Sequence, residues 1–183
     1  MSKNNESDLW KGLAAGAAAG LVASWTMNQF QALWSKVAEG IEKPHGAQSM
    51  QQGSPPQPPT RNDEEDDNAT ERVASAISET VFDRELTESD KEKAGAVVHY
   101  SFGTSTGAIY GAAAEVAPVV TACSGLLFGA AVWLVADEGV VPALGLSKPP
   151  TQYPLSIHAY ALSSHLVYGL TAEVVRRAAR RIM

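Results

Sequence analysis

The chain has 183 residues and a net charge of −6 at pH 7, which suits one domain or one small helical bundle. Its charged residues are concentrated between Glu39 and Lys93, whereas an ordinary globular domain spreads charge along every surface element. The sequence offers no basic patch of the kind that nucleic acid requires, so we expect no nucleic-acid partner.

Residues 12–37 form the first long apolar segment and follow a short polar N-terminus, residues 1–11. Trp10 precedes this segment and Trp34 lies near its far end, and their separation of roughly 36 Å along a helix matches the two interfacial belts of a bilayer. A cleaved signal peptide is the alternative, but the apolar stretch continues past Ser24 with no clean processing site. We therefore predict a first transmembrane helix here.

Residues 38–86 are predicted to form an acidic, proline-rich external loop. Its stretch 44–70 has almost no apolar content, which is typical of a disordered linker. Val73, Ile77 and Val81 then recur four apart and predict a short amphipathic helix near 70–83, lying on a membrane surface or on the bundle.

Residues 87–183 are predicted to hold three more transmembrane helices and a basic cytoplasmic tail. The sequence 87-TESD-90 indicates a capping box with Thr87 as N-cap. Apolar segments follow at about 94–116, 119–135 and 153–175, each close to the ~20 residues that cross hydrocarbon. The connection at Pro118 between segments 94–116 and 119–135 is so short that the two helices must be antiparallel. A soluble helical bundle remains a competing interpretation, because all of these segments are rich in small residues.

Glycines at fixed spacing favour the membrane interpretation. In water each mid-helix glycine costs about 1 kcal/mol relative to alanine, whereas between membrane helices small residues let backbones approach closely. The sequence therefore predicts an all-α fold, a four-helix transmembrane bundle with Gly/Ala-rich helix interfaces and a long disordered acidic loop between helices 1 and 2. The glycine-rich faces also allow a homo-oligomer. The predicted packing residues are Gly12, Gly16, Gly20, Gly103, Gly107, Gly111, Gly125 and Gly129.

Basic residues near the chain ends predict the orientation. Arg176, Arg177, Arg180 and Arg181 follow the last span directly, and such a cluster is normally retained in the cytoplasm. Four spans place both termini on that side.

Several stretches resemble the YagU-like family of small bacterial inner-membrane proteins. They are 98-VHYSFGTSTGAIYGAAAEVAP-118, 125-GLLFGAAVWL-134, 144-LGLSKPP-150 and 165-HLVYGLTAEVVRRAAR-180. The resemblance covers about residues 94–181 well and the first helix loosely. It implies a multi-pass protein of the bacterial inner membrane and implies no reaction, since the family is largely uncharacterised.

Ionisable residues within the predicted spans fall into two layers. An outer layer contains His99, His158, Asp137 and Glu138, an inner layer contains Glu115, Glu173, Arg176 and Arg177, and His165 lies between them. Residues of this kind usually face a cavity or one another, so they could relay protons. Glu173 can also pair with Arg176 or Arg177 and simply fix helix register, which we weigh as the stronger interpretation for the inner layer. For His165 we expect a hydrogen bond to a serine or to a helix backbone.

The sequence gives no positive sign of an enzyme. The glycines of the second span do not form a phosphate loop, and Ser163 and Ser164 beside His165 lack a nucleophile elbow. Cys123 is the single cysteine, predicted to be a small buried hydrophobe, and we expect neither metal nor cofactor.

These observations predict an integral membrane protein that is non-enzymatic, with a structural or interaction role and the lipid bilayer as its partner. The alternative is a small proton-linked transporter or pH-responsive protein that uses intramembrane His and Glu. A small-molecule substrate, if there is one, cannot be named from the sequence.

Overall fold

The computed structural model describes residues 3–38 and 69–183, with side chains of the first helix described from Asp8 onward. Most of the predicted acidic linker lies outside these residues. Within the described ranges the chain is helical and contains no β-strand, which confirms the all-α class. The long helices are α1 (Lys3–Ala38), α2 (Ala69–Phe82), α3 (Glu88–Val116), α4 (Leu126–Val135) and α5 (Leu155–Ile182).

Four of these helices alternate in direction. Gly12 of α1 lies against Gly111 of α3, and Gly20 lies against Gly103, so α1 and α3 are antiparallel. The start of α4 likewise packs against α5 in the opposite direction. The result is an up-and-down bundle with short connections after α3, which is the simplest topology for four neighbouring helices.

Glycine brings the backbones of α1 and α3 into direct contact. A Cβ atom on Gly107 would lie 2.6 Å from both the Gly16 carbonyl oxygen and the Gly20 Cα. No side chain fits in that space, so the predicted glycine faces of the two helices meet each other.

A second glycine contact joins α4 to α5. A Cβ atom on Gly129 would lie 2.9 Å from the His165 carbonyl carbon and 3.2 Å from the Gly169 Cα. Gly169 has the reciprocal constraint, because its Cβ would lie 2.7 Å from the Gly129 nitrogen. The sequence analysis singled out Gly129 but not Gly169.

The segment before α4 differs from the prediction of one helix over 119–135. Pro118–Gly125 forms tight 3₁₀ turns, within which Ala122 is extended and Cys123 and Ser124 have φ of 54° and 56°. Gly125 follows with φ of 84°, a conformation that glycine adopts without strain. Thr121 and Gly129 therefore do not share one helical face. Cys123 is exposed, so its predicted burial was wrong.

The end of α4 also departs from regular geometry. Ala136–Val140 forms a π-helical turn, and one further helical turn, Val141–Ala143, completes the segment. A π-turn inserts an extra residue into the helix and thereby redirects its side chains. Asp137 is one of the residues that it carries.

Many large apolar side chains lie on the outside of the bundle, and small or polar residues make up much of its interior, together with Met27, Ile157 and three tyrosines. Trp10, Ile109 and Leu155 are 70%, 69% and 82% exposed. The interior contains alanines together with buried polar residues, namely Ser24, Gln31, His99, Ser164, His165, Glu173 and Arg176. A domain in water places its large apolar side chains the other way round and rarely exposes large apolar patches.

Among the residues that the structure describes, one helical segment, Pro118–Ala143, is long and apolar enough to cross a membrane. Little of that segment is buried, unlike the core helix of a soluble protein. This finding supports membrane association through one segment, and the spanning of all four helices remains a proposal.

The face of α2 that packs on α3 is not the apolar face predicted from the sequence. Ala69, Thr70, Ala74 and Ser78 are buried. Ile77 and Val81, from the predicted apolar face, are exposed together with Phe82. α2 approaches α3 closely at Gly95, where a Cβ atom would lie 3.3 Å from the Thr70 Oγ1. Small residues therefore occupy the face of α2 that packs against the bundle.

The beginning of α3 follows the sequence prediction. The Thr87 hydroxyl accepts a hydrogen bond from the Asp90 N–H at 3.3 Å, which satisfies one of the free donors at the helix start. Thr87 is thus confirmed as the N-cap.

Candidate functional site

Glu173 is the centre of an ionic cluster at one end of the bundle. Its side chain is 1% exposed, and both carboxylate oxygens are occupied. Arg176 donates to them at 2.8 and 2.9 Å, Arg177 donates at 2.5 Å, and the Tyr110 hydroxyl donates at 2.8 Å. The buried charge is therefore fully paired, as a buried carboxylate must be.

Glu115 of α3 extends this cluster to one further helix, α1. Arg180 donates to its two oxygens at 2.7 and 3.0 Å in a bidentate pair, and Asp8 of α1 lies 3.7 Å from the same guanidinium. The Glu115 carboxylate raises the pKa of Arg180 above its ordinary value. We call Glu115, Glu173, Arg176, Arg177 and Arg180 the arginine cluster, and it ties α1, α3 and α5 together at a single level.

A second polar group lies in the interior, nearer the other end. It contains Ser24 of α1, His99 of α3, Asp137 of the π-turn, and His165 and Tyr168 of α5, and we call it the histidine cluster. The His165 Nδ1 lies 2.9 Å from the Ala161 carbonyl oxygen and 3.6 Å from the Asp137 Oδ2. The backbone contact is of the kind that the sequence analysis expected for this histidine.

Three buried atoms of the histidine cluster have no hydrogen-bond partner. They are the Ser24 Oγ, the His99 Nε2 and the Asp137 Oδ1. Unpartnered buried polar atoms are rare in folded proteins, because each one loses its hydration without compensation. These three are among the buried side-chain atoms without a partner in the described part of the chain, and they lie in one cluster.

Four polar members of the histidine cluster, Ser24, His99, His165 and Tyr168, line a small cavity. The cavity has room for about one water molecule, and its remaining walls are apolar. The Tyr168 hydroxyl donates to the Gly103 carbonyl oxygen at 2.6 Å and closes one side of the cavity.

A separate cleft lies beyond Asp137, at the end of the bundle. There the His158 Nδ1 lies 2.6 Å from the Glu138 Oε1, and its Nε2 lies 3.1 Å from the Pro150 carbonyl oxygen. The cleft encloses about 300 Å³, including space open to solvent, and Asp137 is among its lining residues. Asp137 thus lies between this open cleft and the buried His165.

The structure divides the residues that the sequence singled out into three groups. His99 and His165 share the histidine cluster, His158 forms the cleft with Glu138, and Glu115 and Glu173 join the arginines at the opposite end. The sequence analysis placed Asp137 in the outer layer, and it did not propose Ser24 or Tyr168 as site residues. The sequence feature that indicates this site is Asp137, a carboxylate at the end of the most apolar segment of the described chain. Over residues 3–38 and 69–183, no group of three potential ligands could hold a metal ion.

The fold and the site define an all-helical protein that joins its helices by glycine contacts and encloses one ionic cluster of glutamates and arginines and one polar cluster with two histidines. The chain belongs to the family described as "Protein of unknown function (DUF1440)", whose model matches residues 48–174. No curated protein and no solved structure gives a significant match.

Proposed function

We propose that the chain is a non-enzymatic integral membrane protein that crosses the bacterial inner membrane four times. The observation that carries this proposal is the number of large apolar side chains on the outside of the bundle, around an interior rich in alanine and polar residues. Lipid is the environment in which exposed Trp25, Leu127 and Ile109 cost nothing and in which helices associate through small residues. The resemblance to YagU-like inner-membrane proteins supports the same location.

In this proposal the arginine cluster lies on the cytoplasmic side and holds the helices in register. Arg177 and Arg181 are exposed there, where basic residues are retained. The pairs of Glu115 and Glu173 leave these carboxylates no free role, so the cluster suits a structural or interaction protein better than a chemical one.

Cys123 provides a direct test, because it is the single cysteine, is exposed, and lies at the end of the bundle near Glu173. We expect the protein to stay in the membrane after carbonate extraction. We also expect a membrane-impermeant maleimide to label Cys123 in inside-out vesicles but not in intact spheroplasts. Cys123→Ser is the control for labelling. Release by carbonate would refute the membrane proposal, and labelling from outside would refute the orientation.

A second candidate function is proton-linked transport or a response to pH, and the histidine cluster is the observation that favours it. Ionisable residues inside a membrane protein commonly mark ion paths. The test is proton flux in proteoliposomes, comparing the wild type with His165→Ala and with Glu115→Gln. Flux that His165→Ala removes and Glu115→Gln retains, with both variants folded, would assign the activity to the histidine cluster. No flux at any pH would count against proton conduction by the protein alone.

A further inference from the structure

We infer that Asp137 and His165 form a buried proton-binding site that is reached from the cleft at His158 and not from the end with the arginines. The inference rests on the proposed membrane location and assigns the proton to one particular carboxylate of the outer layer, that of Asp137. Three observations support it: which carboxylate oxygens lack a hydrogen-bond donor, which groups face those oxygens, and from which side water reaches them.

Among the buried carboxylates described, only that of Asp137 has an oxygen without a partner. Its side chain is 6% exposed, its Oδ2 faces His165 at 3.6 Å, and its Oδ1 has no hydrogen-bond donor. Glu173, which is equally inaccessible, has both oxygens filled by two arginines and a tyrosine. Ionised Glu173 is therefore stabilised by fixed positive charge, whereas ionised Asp137 has no permanent cation beside it.

The groups around Asp137 allow one proton to be shared. Two histidines come from α5, namely His165 and, on the cleft side, His158. The π-turn contributes Glu138. His99 of α3 lies across the cavity, and α1 contributes the uncharged Ser24. With one proton, Asp137 and His165 together carry no net charge, whichever of the two holds it, and an apolar surrounding favours this state over one with a net charge. A hydronium ion that gives its proton to the Asp137 Oδ1 leaves behind one water molecule, and the pair changes from one net negative charge to none.

The surrounding structure gives this site access from one side only. Asp137 borders the open cleft, so water can reach it through the His158–Glu138 pair. On the opposite side the Tyr168 hydroxyl is bound to Gly103, and Phe128 stacks on Tyr110 with ring centroids 4.1 Å apart. This aromatic layer separates the histidine cluster from the arginine cluster.

Dicyclohexylcarbodiimide tests the inference, because it modifies protonated carboxylic acids in apolar surroundings. We expect it to modify Asp137 in membranes that contain the full-length protein, with labelling that increases as the pH falls and disappears in Asp137→Asn. Glu173 is the internal control within the same molecule, and its labelling should be several-fold lower at every pH. Peptide mass spectrometry measures both sites in one digest.

A second variant separates the role of His165 from folding. His165→Gln keeps a polar side chain but cannot accept the proton, so labelling of Asp137 should persist to higher pH than in the wild type. Labelling of Asp137 with the same pH dependence in His165→Gln would refute the shared site.

Sidedness is tested with a water-soluble, impermeant carbodiimide. It should modify Asp137 only from the side opposite to the one on which Cys123 reacts with maleimide.

The outcomes separate the proposed membrane function from the proposed proton site. A protein released from membranes by carbonate would refute the proposed function. A protein retained in membranes whose Asp137 is unmodified at acid pH, or is modified no more than Glu173, would overturn the proton site alone. Modification of Asp137 from the arginine side would overturn the proposed route.

Discussion

Replacing Gly107 by alanine tests the contact between α1 and α3 directly. The new Cβ would lie 2.6 Å from the Gly16 carbonyl oxygen and the Gly20 Cα, where ordinary contact begins at 3.4 Å, so the two backbones must separate locally by about 0.8 Å. Overpacking of this kind costs about 1–3 kcal/mol, and here both obstructing atoms belong to backbone that cannot rotate away. Alanine returns up to about 1 kcal/mol through its higher helix propensity.

The net expectation is a loss of about 1–2 kcal/mol in the free energy of unfolding, or a factor of about 5–30 in the ratio of folded to unfolded protein. The assay is unfolding in mixed micelles with increasing SDS, followed by circular dichroism. Gly139→Ala is the matched control, because its Cβ would lie 3.4 Å from the nearest atom, the Leu134 carbonyl oxygen, and should change stability by no more than about 0.5 kcal/mol. If Gly107→Ala were as stable as the wild type, the helices would not be held together by backbone contact.

Three further substitutions test other parts of the bundle by the same unfolding assay. Tyr168→Phe removes the buried hydrogen bond to Gly103 and should lower the free energy of unfolding by about 1 kcal/mol; no change would mean that the hydroxyl is not bound there. Glu173→Gln leaves the largely buried Arg176 with only the more distant Glu115, at 3.9 Å, as a counter-charge and should cost about 3 kcal/mol, against no more than about 0.5 kcal/mol for the exposed Glu88→Gln. Gly169→Ala should cost about 1–2 kcal/mol, because its Cβ would meet the Gly129 backbone at 2.7 Å; a neutral result would place α4 and α5 further apart.

The sequence predicts much of this architecture because its periodic signals are strong. Gly103, Gly107 and Gly111 repeat every four residues and define one face of α3, which is the face that meets α1. Thr87 marks the start of the same helix with a side chain whose capping role is local. Signals of this kind depend on neighbours along the chain, so no tertiary information is needed to interpret them.

Other features depend on contacts that no local pattern encodes. The π-turn carries Asp137, whose carboxylate meets His165 of another helix, and the hydropathy of residues 118–143 is the same with or without that turn. The left-handed backbone at Cys123 and Ser124 could not be predicted from the sequence either, because neither residue type favours that conformation. Gly169 was missed because its partner, Gly129, lies on another helix and no second glycine of α5 repeats its spacing.

The two glycine contacts bring the backbones of two helix pairs together, α1 with α3 and α4 with α5, and neither pair can slide without a clash. α1 also packs along α5 and joins the pairs, with Trp34 against Tyr160, and the Tyr168 hydroxyl of α5 donates to the Gly103 carbonyl oxygen of α3. Ser24 and His99 belong to one pair, and Asp137 and His165 belong to the other. The histidine cluster therefore exists only where the two pairs meet, and its geometry depends on how they pack against each other.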